Sequence, residues 1–191
     1  LALCRRAGAT LIGPNCTGLI EPRRRIKLGS IGGDNPDRCF VPGRVGIISR
    51  SGGMTSESAW MVRRGGGGVS TAISIGGDAM VGLPPREALR LFEEDPNTDM
   101  VFIWGEPGTV MEEEAAEALE TGEFTKPLIA YVAGHFIEDF PEGTIFGHAA
   151  AFVHKKMGRP SDKVERLEAA GACVLRTYDD LSAAVRKLLR S

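Results

Sequence analysis

Five short apolar runs, residues 44–49, 69–75, 100–104, 128–133 and 173–175, constrain the fold of this chain more than any other feature. They are rich in Val and Ile and do not alternate with polar residues, as expected of strands covered on both faces. Four of the five lead into a glycine-bearing turn, three of them directly: Ser49-Arg-Ser-Gly-Gly53, Gly76-Gly-Asp78, Gly105-Glu-Pro-Gly108 and Gly134. Between the runs lie segments with helical spacing at residues 54–64, 84–94, from about 112, 162–170 and 179–189. Strand and helix in strict alternation specify an α/β chain, with a doubly wound parallel sheet of about five strands.

The helix boundaries have local causes. Residues 65–68, four glycines in a row, disfavour continued helix, and Pro84-Pro85 and Pro160 suit a helix start. Glu112, Glu113 and Glu114 read as a solvated first turn that complements the helix dipole. The arrangement is flavodoxin-like, and it is assigned to residues 43–191.

Upstream the pattern changes. Residues 1–9 read as the end of an amphipathic helix closed by Gly8, and Thr10-Leu-Ile-Gly13 as a short strand: together, the last pieces of an α/β unit whose earlier part is missing. Residues 21–42 hold Arg23, Arg24 and Arg25, then Gly32-Gly-Asp-Asn-Pro36, and read as a linker with a boundary near Pro42.

Composition narrows the function class. At 42% hydrophobic, 25% charged and a net charge of -2, the chain has neither the basic excess of a nucleic-acid binder nor an acidic tail. No run approaches the roughly 18 apolar residues of a membrane span, so a soluble, intracellular protein is expected. Cys4, Cys16, Cys39 and Cys173 are scattered without metal-ligand spacing and read as buried, reduced thiols. No metal site is expected.

In a doubly wound fold, ligands bind at the carboxyl ends of the strands, where the glycine-rich turns collect. At Ser51-Gly52 a strand, a tight loop and a helix follow in succession. That order aims free backbone N–H groups and a positive dipole end at an anion; the alternative is that Ser51 merely caps the helix while the glycines make the turn. Glu106 stands between glycines after the third run and can hold a histidine ring or a cation, or simply be solvated. Asp78 can orient a substrate or metal, or simply form the turn. His148, one of three histidines, sits between Gly147 and Ala149 after a long loop from Gly134, with room for a bulky group to approach its ring; it is the candidate nucleophile.

Taken together, Gly13-Pro-Asn-Cys-Thr-Gly18, Gly43-Arg-Val-Gly-Ile-Ile-Ser-Arg-Ser-Gly52, Ile75-Gly-Gly-Asp78, Gly105-Glu-Pro-Gly108, Lys126-Pro127, Ala133-Gly134 and Gly147-His-Ala149 resemble, in order, the succinyl-CoA synthetase (succinate–CoA ligase) α subunit family. The resemblance implies a nucleotide-dependent acid–thiol ligase in which a phosphohistidine carries phosphate between a nucleotide site and an acyl/CoA site. His148 matches the phosphoryl carrier and Glu106 the glutamate that positions it. Ser51, Gly52 and Gly147 match phosphate-binding positions, and Asn15 and Cys16 a loop near the CoA thiol and the acid. His135 and His154 match no functional position.

The resemblance further implies an ATP-grasp β-type partner subunit holding Mg²⁺ with ATP or GTP, a hetero-oligomer, and a cytoplasmic or mitochondrial-matrix location. Residues 1–20 correspond to the end of an amino-terminal CoA-binding Rossmann domain, so these residues alone are expected neither to bind CoA measurably nor to be active. The chain departs from the pattern at Ala150-Ala151, at Lys155-Lys156 and in the Arg-rich stretch 23–38. These departures leave the acid open among succinate, malate and the substrates of the related ATP-citrate lyase and nucleoside-diphosphate-forming acetyl-CoA synthetase. A non-catalytic binding or assembly module is the alternative, and retention of both His148 and Glu106 weighs against it.

Overall fold

The computed structural model describes all residues except Glu142, Ile145, Phe146, Ala149, Phe152, His154, Lys155, Lys156, Met157 and Ser191. Helix α1 is Ala2–Arg6. Strands β1 (Gly18–Glu21), β2 (Ile26–Leu28), β3 (Pro42–Ser49), β4 (Val69–Ser74), β5 (Met100–Gly105), β6 (Leu128–Val132) and β7 (Cys173–Val174) alternate from β3 onward with α2 (Gly52–Arg64), α3 (Pro85–Glu94), α4 (Met111–Glu120) and α5 (Pro160–Ala169); α6 (Leu181–Leu188) follows β7.

All seven strands form one sheet in the order β2-β1-β4-β3-β5-β6-β7. The five expected runs are β3 to β7, paired in parallel. Their order, second-first-third-fourth-fifth, is the flavodoxin-like winding. The chain leaves β3 in one direction toward β4 and returns on its other side as β5, which opens a crevice at the carboxyl ends of these two strands.

Strand residues divide by the two-residue pleat between two cores. Ile48, Ile73 and Ile103 face Leu89, Phe92, Ala115 and Leu167 of α3, α4 and α5. Ile47, Ala72 and Phe102 face Ala59 and Val62 of α2 and Leu181 and Val185 of α6. Each face is covered by helices, which explains why the runs carry no polar alternation.

The residues read as a linker belong to this sheet. β1 and β2 form an antiparallel hairpin, and β1 pairs antiparallel with β4 through Gly18↔Ser74 and Ile20↔Ala72. The arginine triplet that marks the composition change lies at the hairpin tip, where Arg25 has φ 55° and its N–H bonds Pro22 O at 3.2 Å. Further on, Ile31 and Phe40 are each 1% exposed and pack against the α2/α6 face. Polarity at the tip concealed a segment whose ends are core.

Residues 10–13, expected as a strand, are not in a strand among the described residues. Two further expectations are corrected by burial. Glu112 is not solvated: it is 1% exposed and ion-paired with Lys163, itself fully buried. The four cysteines are free, but Cys4, Cys16 and Cys39 are half-buried and Cys173 is exposed. Partial burial, followed by the nearby Glu57 carboxylate, pushes the Cys39 thiol above its ordinary pKa. Among the described residues no helix is long and apolar enough to cross a membrane.

Candidate active site

The crevice is built from the turns that follow the strands. β3 ends at Ser49, whose hydroxyl donates to Ser51 O at 2.8 Å and accepts from Ser51 N–H at 3.1 Å, folding the chain tightly into α2. Ser51 caps that helix, its Oγ accepting from Met54 N–H at 3.4 Å. The first-turn N–H groups of a helix have no partner within it, so the entry to α2 presents donors and the positive end of the helix dipole. Gly52 is required there by contact: a Cβ would lie 2.4 Å from Thr17 Cγ2.

Glu106 follows β5 and is 9% exposed. Its N–H donates to Glu112 Oε1 at 3.1 Å, and Glu112 is held in turn by Lys163. Lys163 also reaches Glu113 at 3.0 Å. A carboxylate with its backbone pinned this way has little freedom to swing.

His148 meets it from 42 residues away, with Nδ1 2.7 Å from Glu106 Oε2. The opposite constraint comes from Gly77, after β4. A Cβ on Gly77 would sit 2.4 Å from His148 Cγ and 2.5 Å from Nδ1, so the imidazole lies directly on the glycine backbone. The ring side chain remains 32% exposed.

An ionised carboxylate only accepts hydrogen bonds, so in the neutral ring this contact places the proton on Nδ1 and leaves the lone pair on Nε2. The arrangement is a histidine oriented through one nitrogen with the other available as a nucleophile or base. It shares a cavity of about 320 Å³ with Ser51, Glu106 and Gly147, so the entry to α2, the carboxylate and the histidine face a common space.

Other expected positions fall elsewhere. Asn15, with φ 51°, donates from Nδ2 to Asp78 at 3.0 Å, and its carbonyl accepts from Gly77 N–H at 3.3 Å. Asn15 therefore supports the glycine under the histidine from the far side, and neither it nor Cys16 lines the histidine cavity. Asp78 serves as Asn15's partner. His135 is exposed and also outside the cavity. Ala150 is buried at 2%. His154, Lys155 and Lys156 lie outside the described residues. Among the described residues no cluster of three His, Cys, Asp or Glu has the arrangement of a metal site.

Residues without a sequence signal of their own complete the cavity. Trp104, from β5, lines it, and its buried indole Nε1 has no hydrogen-bond partner among the described residues. Gly77 was legible as a turn glycine, but its contact with a residue 71 positions later was not. The buried Glu112–Lys163 pair was hidden because a glutamate triplet at a helix start looks the same whether solvated or covered.

A family model described as CoA-ligase matches residues 48–173. Succinate–CoA ligase [ADP-forming] subunit alpha 2 of Archaeoglobus fulgidus is 43% identical over 185 residues, covering 97% of this chain and 61% of its own length. ADP-forming sulfoacetate-CoA ligase subunit SauD of Bilophila wadsworthia is 40% identical over 185 residues, covering 95% of this chain and 60% of its own. Among solved structures, ATP citrate lyase from Methanothrix soehngenii, in complex with citrate and coenzyme A, superposes with a TM-score of 0.91 at 29% identity, covering 99% of this chain and 31% of that one. The chain thus spans about 60% of the length of these two curated relatives.

Proposed function

This chain belongs to the CoA-ligase family, and on that premise we propose that it forms part of the α-type subunit of a nucleotide-dependent carboxylic acid–CoA ligase that works through a phosphohistidine at His148. The observation that carries the reading is the 2.7 Å contact between His148 Nδ1 and Glu106 Oε2, which leaves Nε2 as the nucleophilic nitrogen.

In the first step the Nε2 lone pair forms an N–P bond to the terminal phosphoryl group of a nucleoside triphosphate. The P–O bond to the diphosphate breaks and its electrons stay on the departing oxygen. Glu106 holds the Nδ1 proton and offsets positive charge that develops on the ring. Ser51 and Met54 at the entry to α2 line the same cavity, and the N–H groups of a helix entry are suited to the phosphoryl oxygens.

In the second step an oxygen of the acid's carboxylate attacks phosphorus. The N–P bond breaks, its electrons return to Nε2, and an acyl phosphate forms. The CoA sulfur, as thiolate, then attacks the acyl carbon; a C–S bond replaces the C–O bond, and phosphate leaves. The chain's own part is to orient, charge and discharge one nitrogen while excluding alternatives to it.

The nucleotide and its Mg²⁺ are assigned to an ATP-grasp β-type partner, since the resemblance places them there. Residues 1–20 are assigned to the end of a CoA-binding domain. The relatives act on different acids by name, succinate in one and sulfoacetate in the other. A small anionic carboxylic acid is the common chemistry.

Full-length protein assembled with its partner subunit and given Mg-ATP labelled in the γ-phosphate tests the reading. The expected result is an acid-labile, base-stable phosphoryl group on this subunit that is lost in His148→Asn. No label on the wild type overturns it.

A further inference from the structure

Arg50 directly follows β3, in the sequence Ser49-Arg50-Ser51. Arginine at a strand–helix junction ordinarily reaches solvent, because a guanidinium stays charged and is costly to bury without a counter-ion. Here Arg50 is 1% exposed. Among the described residues it has no carboxylate within ion-pair distance, and its buried Nε has no hydrogen-bond partner.

The partners it does have are neutral oxygens. Nη1 donates to Pro107 O at 3.4 Å and to Thr109 Oγ1 at 3.3 Å, and Nη2 donates to Gly77 O at 3.3 Å. One guanidinium therefore ties the turn after β4 to the turn after β5. Gly77 is the backbone on which the His148 ring lies, and Pro107 directly follows Glu106. Each member of the histidine–carboxylate pair is one residue removed from the same buried cation.

We infer that Arg50 is a positioning residue for phosphoryl transfer at His148: its fork fixes the Gly77 and Pro107 turns on either side of the ring, and its unmatched charge is balanced when a phosphoryl group occupies His148. The inference rests on the phosphohistidine reading. A buried positive charge without a carboxylate partner destabilises the unmodified site and favours the form that adds negative charge nearby. That makes Arg50 part of the phosphorylation equilibrium without contact to the nucleotide.

The test uses the full-length protein assembled with its partner subunit, in wild-type, Arg50→Lys and Arg50→Met forms, equilibrated with Mg-ATP and Mg-ADP at a fixed ratio. The readout is the ratio of phosphorylated to unphosphorylated enzyme in the folded fraction. Arg50→Met should lower it about tenfold, the factor that ~1.4 kcal/mol represents, and Arg50→Lys should restore more than half of the loss on a logarithmic scale. A purely structural arginine would lower the melting midpoint and leave the ratio unchanged; an unchanged ratio in Arg50→Met, or a lysine variant as impaired as the methionine one, overturns the inference. If Arg50→Met does not fold, the wild type decides: phosphorylation should raise its melting midpoint relative to the unphosphorylated enzyme, and a midpoint that stays or falls overturns it. Failure of the wild type to take up phosphate refutes the underlying reading, a result distinct from each of these.

Discussion

His148 Nδ1 lies 2.7 Å from Glu106 Oε2, and the glutamate is the more deeply buried of the two, its side chain 11% exposed against 32% for the imidazole. The carboxylate is thus the fixed partner and the ring the accessible one. This asymmetry suits the phosphoryl carrier proposed above: the orienting carboxylate is mostly covered while the ring keeps an accessible face.

Replacing Glu106 with Gln keeps the shape and an acceptor for the Nδ1 proton but removes the charge. Phosphorylation by Mg-ATP in the assembled full-length protein should slow by about 10²-fold, with an unchanged circular dichroism spectrum. Rapid-quench labelling at an unchanged rate would remove Glu106 from the mechanism.

Gly77→Ala places a methyl 2.4 Å from His148 Cγ. The ring must leave its place against the backbone and lose its geometry with Glu106. Labelling should fall at least roughly tenfold while stability changes by only ~1 kcal/mol, as for a crowded turn rather than a core. Gly53→Ala is the internal contrast, since nothing lies within 4 Å of a Cβ there; its melting midpoint should hold or rise.

Lys163→Met strands Glu112 as an uncompensated charge that is 1% exposed. Breaking a buried pair from one side costs about 3–5 kcal/mol, and Glu112→Gln added to Lys163→Met should recover part of it. Urea denaturation of the single and double variants measures both. Equal stabilities for Lys163→Met and wild type would mean that the pair is hydrated in solution.

Tyr178 supplies a pH dependence. Burial pushes its phenol up to about 12, with Glu57 and Asp179 adding to the rise and the Ser58 hydroxyl, 3.3 Å away and able to donate to the phenolate, opposing it. The folded pKa lies above the ordinary 10.0, so this contribution to stability is complete below about pH 10 and is lost as pH climbs toward 12. Phenolate absorbance compared between wild type and Tyr178→Phe should place the missing titration near the upper value. A Tyr178 component titrating near 10 in the folded protein would contradict this.

The sequence by itself determined the five parallel strands, the helices between them and the glycine-rich turns at their carboxyl ends. Those are set by local causes: unbroken β-branched runs, proline at helix starts, and glycine where the backbone must turn. It also singled out His148, Glu106, Ser51 and Gly147, which share one cavity. Only the tertiary structure decided that residues 18–28 extend the sheet, because an arginine-rich hairpin tip carries the same composition as a linker. Only it distinguished the buried Glu112 from a solvated helix start, since burial depends on Lys163, 51 residues away. The same holds for the 42-residue span from Glu106 to His148 and for the Gly77 surface beneath the ring. Periodicity and turn chemistry report what each segment does with its own backbone; which side chains then meet across the crevice is fixed by the winding of the sheet, and that is a property of the assembled fold.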